Sequence, residues 1–413
     1  MKHKDSIVCI GRHNNDVDWM TPFIYEASRY FEVYYLLLSP ELLPERDFRL
    51  RSLSEREGVK IITIFDFPGF PGIKGRPGIR KLWSMFPKSV IWKRMLDKFT
   101  PIVFGAINWD KILQEYLKQI EPVWIVADRL RPDKGPSKKK RYPPYGKEGV
   151  FEFASNRKNH SKVLSIPHGL LLFNLPTSYE LFRPFYDKIA VANMLEKKRF
   201  DEAGFSEGDL WCVGATRYAS SWLEFLEKIV PDVSYVDKIG KDRYIIVFFA
   251  TKMVYEYDFE RLLTWLKVLS EIENVFVIVQ PHPRGQKRKA FKALESCENV
   301  FIDTATPAAS LIRFSDAVST LVSSVVVEAI CLEKPLFYPK FLHKKQTAFE
   351  KEGACITIDD PQKTEEVVLG VKNGKISLPT EKYKNFLKRY LHCSKEKNAN
   401  QEIVKKMIKE MDA

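Results

Sequence analysis

Short apolar runs alternate with amphipathic stretches along most of the chain. In the first half, Ser6–Gly11, Glu32–Leu38, Lys60–Ile64, Lys162–Ile166 and Lys188–Ala192 are β-type runs, and Pro122–Ala127 is another that ends at Asp128. A helical pattern opens at Thr21-Pro22 and runs to about Tyr30, with Thr21 as cap and Pro22 at the first helical position. Buried-type strands separated by helical patterns predict parallel βαβ units.

The rhythm restarts after about residue 235. Strands are expected at Arg243–Ala250, Asn274–Gln280, Val300–Asp303, Ala317–Leu321 and Pro335–Tyr338. Helices are expected at Asp258–Glu271, Pro307–Phe314 and Ser324–Cys331, and Lys382–Lys409 reads as a largely helical, basic tail. The fold class is therefore α/β, with two Rossmann-like domains in tandem facing a central cleft. The expected division is 1–195, 196–385 and a C-terminal basic helix over 386–413. Ligands of open α/β sheets bind beyond the carboxyl ends of the strands, so polar residues at those ends carry the chemistry.

Two stretches break the pattern. Phe67–Lys81 is rich in Pro and Gly, and Asp133–Lys147 carries Lys138-Lys139-Lys140-Arg141 and Pro143-Pro144. Both read as loops. The basic, aromatic stretch Arg80–Arg94 reads as an interfacial segment or as a core element with a basic outer face.

Composition adds limits. The chain has 413 residues, 45% of them hydrophobic and 29% charged, which suits two ordinary cores. Its net charge of +13 favours anionic partners without choosing among them. The six cysteines show no CxxC spacing and no zinc pattern, and they fit a reducing cytosol. No run approaches a membrane span or a signal segment, so the expected location is cytoplasmic, with peripheral contact at the inner face of an anionic membrane. Phosphate-loop, GxSxG and kinase signatures are absent, and no recognised module supports nucleic-acid binding.

Four strand-end motifs remain. Gln280-Pro281-His282-Pro283-Arg284 follows an apolar strand; the prolines constrain the backbone around His282, and Arg284 adds a fork suited to phosphate. Ser323-Ser324 ends a strand and opens a helix, with Glu328 one turn on as a candidate for two ribose hydroxyls. Pro167-His168-Gly169 ends another strand. The polar loop from Arg12 to Asp18 offers Asp16 and Asp18 as general bases, with Asp128 a rival. No DxD pair lies where a metal-dependent transferase needs one, so no metal and no cofactor are expected.

A His-Pro after one strand, a strand ending in Ser-Ser, a Glu beyond it and then Lys334-Pro335-Leu336 resemble the donor domain of GT-B glycosyltransferases. More narrowly, they resemble capsule and cell-wall polymer enzymes: the CDP-glycerol glycerophosphotransferases and the CMP-dependent Kdo and sialic-acid transferases. The resemblance implies that His282, Ser323 and Ser324 hold the donor phosphate and that His168 is catalytic or contacts phosphate. Val213-Gly214-Ala215-Thr216-Arg217 is similar to the inter-domain turn of that superfamily, which implies a flexible Gly214 and puts Thr216 and Arg217 on the donor phosphate. The Asp-Asp-Gly or Glu-Asp-Gly base motif of many bacterial sialyltransferases is absent. The implied activity is transfer from a nucleotide-linked donor, CMP or CDP favoured, to a glycan or lipid-linked acceptor. Two alternatives stand beside it: a UDP-N-acetylhexosamine 2-epimerase, and a non-catalytic protein of glycan assembly.

Overall fold

The computed structural model describes residues 4–67, 107–129, 146–156, 160–170, 172, 179–182, 185–240, 242–251, 256–282, 288–393 and 398–412. The loop expected at 133–147, most of that at 67–81, and the stretch 80–94 lie outside them, apart from Phe67, Gly146 and Lys147.

The chain forms two compact units. In the first, β1 (Ser6–Gly11), β2 (Glu32–Leu37), β3 (Val59–Thr63), β4 (Trp124–Asp128), β5 (Lys162–Ile166), β6 (Lys188–Val191) and β7 (Leu210–Cys212) make one sheet. Its order is β3-β2-β1-β4-β5-β6-β7, and every pairing is parallel. The second unit contains β8 (Tyr244–Phe249), β9 (Val275–Gln280), β10 (Val300–Ile302), β11 (Ala317–Thr320), β12 (Leu336–Pro339) and β13 (Ile356–Ile358). Its order, β10-β9-β8-β11-β12-β13, is parallel throughout. Both sheets share the doubly wound Rossmann order, in which the chain starts at the centre, winds out one way and then the other. Helices cover parallel sheets on both faces, which is why central strands such as Ile246–Phe249 read as unbroken apolar runs.

The division differs from the expected one. The first unit comprises Met1–Leu170, Pro176–Ile229 and Leu391–Ala413, and Val230–Tyr390 makes most of the second. The short strand β7, which the apolar pattern does not announce, extends the first sheet through pairing with β6. That carries the boundary past residue 195 to 229. The basic tail is two helices, Thr380–Leu391 and Ala399–Met411, and the latter packs on the helix Asn14–Ala27 of the first unit.

The first helix also starts earlier than expected, at Asn14, with Pro22 in its interior. Val17, Met20, Ile24 and Ala27 are all fully buried at helical spacing, so burial of this face extends the helix upstream of the proline. Thr21 Oγ1 donates to the Val17 carbonyl at 2.6 Å within the same turn. Other helix starts are capped from the side chain: Asp47, Asn108, Asn193 and Asp258 each accept from a backbone amide of the following turn. Each cap contributes about 1 kcal/mol.

One covalent link joins distant parts of the first unit. Cys212, at the end of β7, is disulfide-bonded to Cys393, just before the last helix, across a sequence separation of 181. Sequence spacing gives no sign of it, so the cysteines do not all stand as separate thiols. Among the described residues no helix is long and apolar enough to cross a membrane.

The helix Lys147–Ser155 lies so close to Trp109–Ile120 that a Cβ built on Gly149 would stand 2.3 Å from the Asp110 carbonyl oxygen. Backbone cannot yield as a flexible side chain can. Gly149→Ala is therefore expected to lower the melting temperature, at a cost of ~1–3 kcal/mol. A thermal melt that matches the parent protein would contradict this close approach.

Candidate functional site

In the first unit the strand order reverses between β1 and β4, the position where doubly wound sheets take ligands. Gly11 ends β1, Asp128 ends β4 and Ile166 ends β5. Because β4 pairs with both β1 and β5, the residues just beyond these ends converge. They are Arg12, Asn15, Asp16, Asp128 and His168.

Asp16 and Asp128 are completely buried. Buried carboxylates need cationic partners or hydrogen-bond donors. Asp16 has Arg12: the backbone N–H and Nε of Arg12 both donate to Asp16 Oδ2 at 2.8 Å. A further nitrogen of Arg12 donates to the Asp128 carbonyl oxygen at 2.5 Å. One guanidinium thus ties the loop after β1 to the end of β4. Asp128 has His168, with Nδ1 at 2.7 Å from the carboxylate. The amide of Asn15 stands 3.4 Å from each ring nitrogen of His168. The His168 side chain is 42% exposed, so the ring spans buried carboxylate and solvent.

The electrostatics follow from this placement. Burial pushes the Asp128 carboxyl up, His168 pulls it back, and the charge of Asp16 adds to the rise; the net position is above the usual carboxylate value. Burial draws the His168 imidazole down, but the charge and hydrogen bond of Asp128, with help from Asp16, outweigh it. His168 therefore stands above its ordinary value. A carboxylate accepting from Nδ1–H leaves Nε2 as the basic nitrogen, the arrangement of a general base held by a buried carboxylate.

Ligand atoms of Asp16, Asp128 and His168 lie within 4.8 Å of one another, a spacing that a cation can bridge. Arg12 already delivers a full positive charge to Asp16, and His168 Nδ1 faces Asp128.

Asp18 is not part of this group. Its carboxylate is paired with Arg49 and, at 3.2 Å, with Arg217. Two guanidiniums thus engage the one carboxylate. Arg217, expected on the donor phosphate, belongs to the first unit and bonds Asp18 there. Thr216 is fully buried, and its hydroxyl donates to the Trp19 carbonyl at 3.0 Å. Gly214 has φ +107, and a Cβ there would meet the Leu391 carbonyl oxygen at 3.0 Å. The turn around 214–217 is accordingly a packing seam for the C-terminal segment: Ala215 N donates to Leu391 O at 2.9 Å, and Asn400 Nδ2 donates to Thr216 O at 3.1 Å.

In the second unit the order reverses between β8 and β11. Thr320 Oγ1 donates to the Phe249 carbonyl at 2.8 Å, and Val322 N donates to Thr251 Oγ1 at 3.0 Å. These bonds hold the two strand ends together. Ser323 and Ser324 follow directly; Ser323 is partly exposed and Ser324 exposed. Ser323 Oγ accepts from Val325 N at 3.4 Å at the start of Val325–Cys331. His282 is half-buried just beyond β9, while Pro283 and Arg284 lie outside the described residues. Glu328 departs from expectation. It is 3% exposed and holds Arg313 at 2.6 Å, so its carboxylate serves an internal ion pair and is not open to a ribose.

Sequence reasoning names the loop that holds Arg12 and Asn15 but assigns neither a function. The four-residue spacing of Arg12 and Asp16 is the signal that was there to be used. Arg313 precedes Glu328 by fifteen residues in a separate helix, and no local pattern links them.

The chain matches no protein-family model, and no curated protein matches it. Solved structures do resemble it. The UDP-GlcNAc 2-epimerase from Methanocaldococcus jannaschii is 14% identical, with a TM-score of 0.60 over 98% of this chain and 99% of that one. The UDP-GlcNAc 2-epimerase from Neisseria meningitidis bound to UDP-GlcNAc is 14% identical, with a TM-score of 0.57 over 98% and 100%. The wall teichoic acid polymerase TagF is 11% identical, with a TM-score of 0.52 over 99% and 89%. At such identities the likeness is one of fold: two Rossmann-like α/β units of the GT-B type.

Proposed function

We propose that this chain is a metal-independent glycosyltransferase. It moves a sugar or polyol phosphate from a nucleotide-activated donor, CMP- or CDP-linked, to a hydroxyl of a surface polysaccharide or lipid-linked glycan. The observation that carries the reading is His168, half-exposed and held through Nδ1 by the buried Asp128 at 2.7 Å. His168 Nε2 takes the proton of the acceptor hydroxyl as its oxygen attacks the donor, and the nucleotide leaves with the bonding electron pair. Asp128 sets the tautomer and steadies the imidazolium that results. In the second unit, His282, Ser323 and Ser324 contact the leaving phosphate. Nucleotide-sugar binding by a structural neighbour, the Neisseria meningitidis epimerase with UDP-GlcNAc, is in keeping with a nucleotide-linked ligand.

Nucleotide recognition is tested by thermal melts with CMP, CDP, UDP and GDP. A cytidine nucleotide at a hundred times its dissociation constant is expected to stabilise the protein by about 2.7 kcal/mol, and the others by less. No shift with any of them counts against the reading. Donor consumption is then followed with and without a hydroxyl acceptor. Conversion of a UDP-linked sugar to its epimer without acceptor would favour the epimerase instead.

The base is tested by its pH profile. His168 acts only when neutral, so kcat/KM should fall toward acid through an apparent pKa above the ordinary histidine value of about 6.5. Asp128→Asn removes the charge that raises the imidazole, so it should lower the rate and move that limb to lower pH. His168→Ala should cost ~10²–10⁴-fold. An acid limb that stays in place in Asp128→Asn rules out His168 as the titrating base.

A further inference from the structure

Outside the candidate site, the seam between the turn 214–217 and the C-terminal segment holds chemistry that the proposed reaction does not use. We infer that Cys212 and Cys393 form a reversible thiol–disulfide couple that clasps the last helix onto the turn bracing the start of the helix Asn14–Ala27. The inference stands whatever reaction the protein catalyses.

Position is the first support. Both cysteines are partly exposed, so a small thiol or disulfide can reach them. Cys9, Cys331 and Cys355 differ. Burial pushes the Cys9 thiol well up, Cys331 up to about 12 and Cys355 up to about 11, which keeps them protonated and slow to exchange. Among the described residues, Cys212–Cys393 is the pair that geometry brings together.

Connectivity is the second support. Leu391 O accepts from Ala215 N at 2.9 Å, and Asn400 Nδ2 reaches Thr216 O at 3.1 Å, so the segment on both sides of Cys393 lies on the turn. Thr216 Oγ1 holds the Trp19 carbonyl at 3.0 Å, and Arg217 holds Asp18 at 3.2 Å. Both contacts brace the helix that carries Asn15 and Asp16. Glu410, at the far end of the last helix, pairs with Lys162 and Lys188 at 3.2 and 3.1 Å. The segment therefore stays docked when the thiols are reduced, and oxidation adds a covalent pin to an existing seam. Because the bond closes a loop across a sequence separation of 181, it removes much freedom from the unfolded chain.

The step balances with a low-molecular-weight disulfide as oxidant. Oxidised glutathione and two protein thiols give the protein disulfide and two glutathione thiols; excess thiol reverses it.

The full chain is equilibrated with oxidised or with reduced glutathione and then examined by non-reducing peptide mapping, thermal melting and hydrogen exchange. Mapping should recover the 212–393 cross-link only in the oxidised form. Oxidation should raise the melting temperature by ~5–10 °C and slow exchange in both 399–411 and 14–27. Cys393→Ser and Cys212→Ser should each abolish the difference between the two conditions. Two free thiols in excess oxidised glutathione would overturn the inference, as would equal melting temperatures. A shift in melting with unchanged exchange in 14–27 would overturn the link to that helix.

Discussion

The first unit is organised by the burial of two negative charges side by side. Asp16, in the first turn of the helix Asn14–Ala27, and Asp128, at the end of β4, have no exposure to water. Leaving either without its partner would cost about 3–5 kcal/mol, a large share of a domain's net stability. The solution is one guanidinium and one imidazole. Arg12 takes Asp16 and also grips the backbone of Asp128, while His168 takes the Asp128 carboxylate. The two cations are not equivalent. Arg12 cannot release a proton and so acts as a fixed strut, whereas His168 reaches solvent and titrates. A fixed charge and a titrating one thus divide between the two partners.

The other polar residues singled out in the sequence likewise divide into internally bonded and exposed ones. Asp18, Thr216 and Arg217 look as chemical as Asp128 in the sequence, yet they form bonds that hold a seam. Glu328 and Arg313 likewise neutralise each other inside the second unit. Ser323, Ser324 and His282 keep some exposure beside the reversal point of that sheet.

Much of the architecture was legible because parallel sheets buried on both faces write themselves as apolar runs. Nearly every run named in the sequence is a strand here, and two Rossmann-like units follow from them. The failures have particular causes. Leu210–Cys212 is too short to register as a run, so the unit boundary moved with it. Pro22 reads as a helix start, but burial of Val17 and Met20 outweighs the loss of one amide. At the site, strand-end placement pointed to Asp16, Asp128 and His168, which the fold brings together. It could not separate them from Asp18, because the distinction lies in Arg49 and Arg217, brought in from other parts of the chain.

The first unit is discontinuous: Val230–Tyr390 is inserted between Ile229 and Leu391. During synthesis, the ribosome must therefore deliver the whole inserted stretch before the segment that completes the earlier unit. The inserted unit can close its sheet while the first still has an open face, where the helix Asn14–Ala27 awaits the helix Ala399–Met411. The part of the protein begun first is thus finished last. A cell making this chain has to shield that apolar face for the time it takes to translate the insertion.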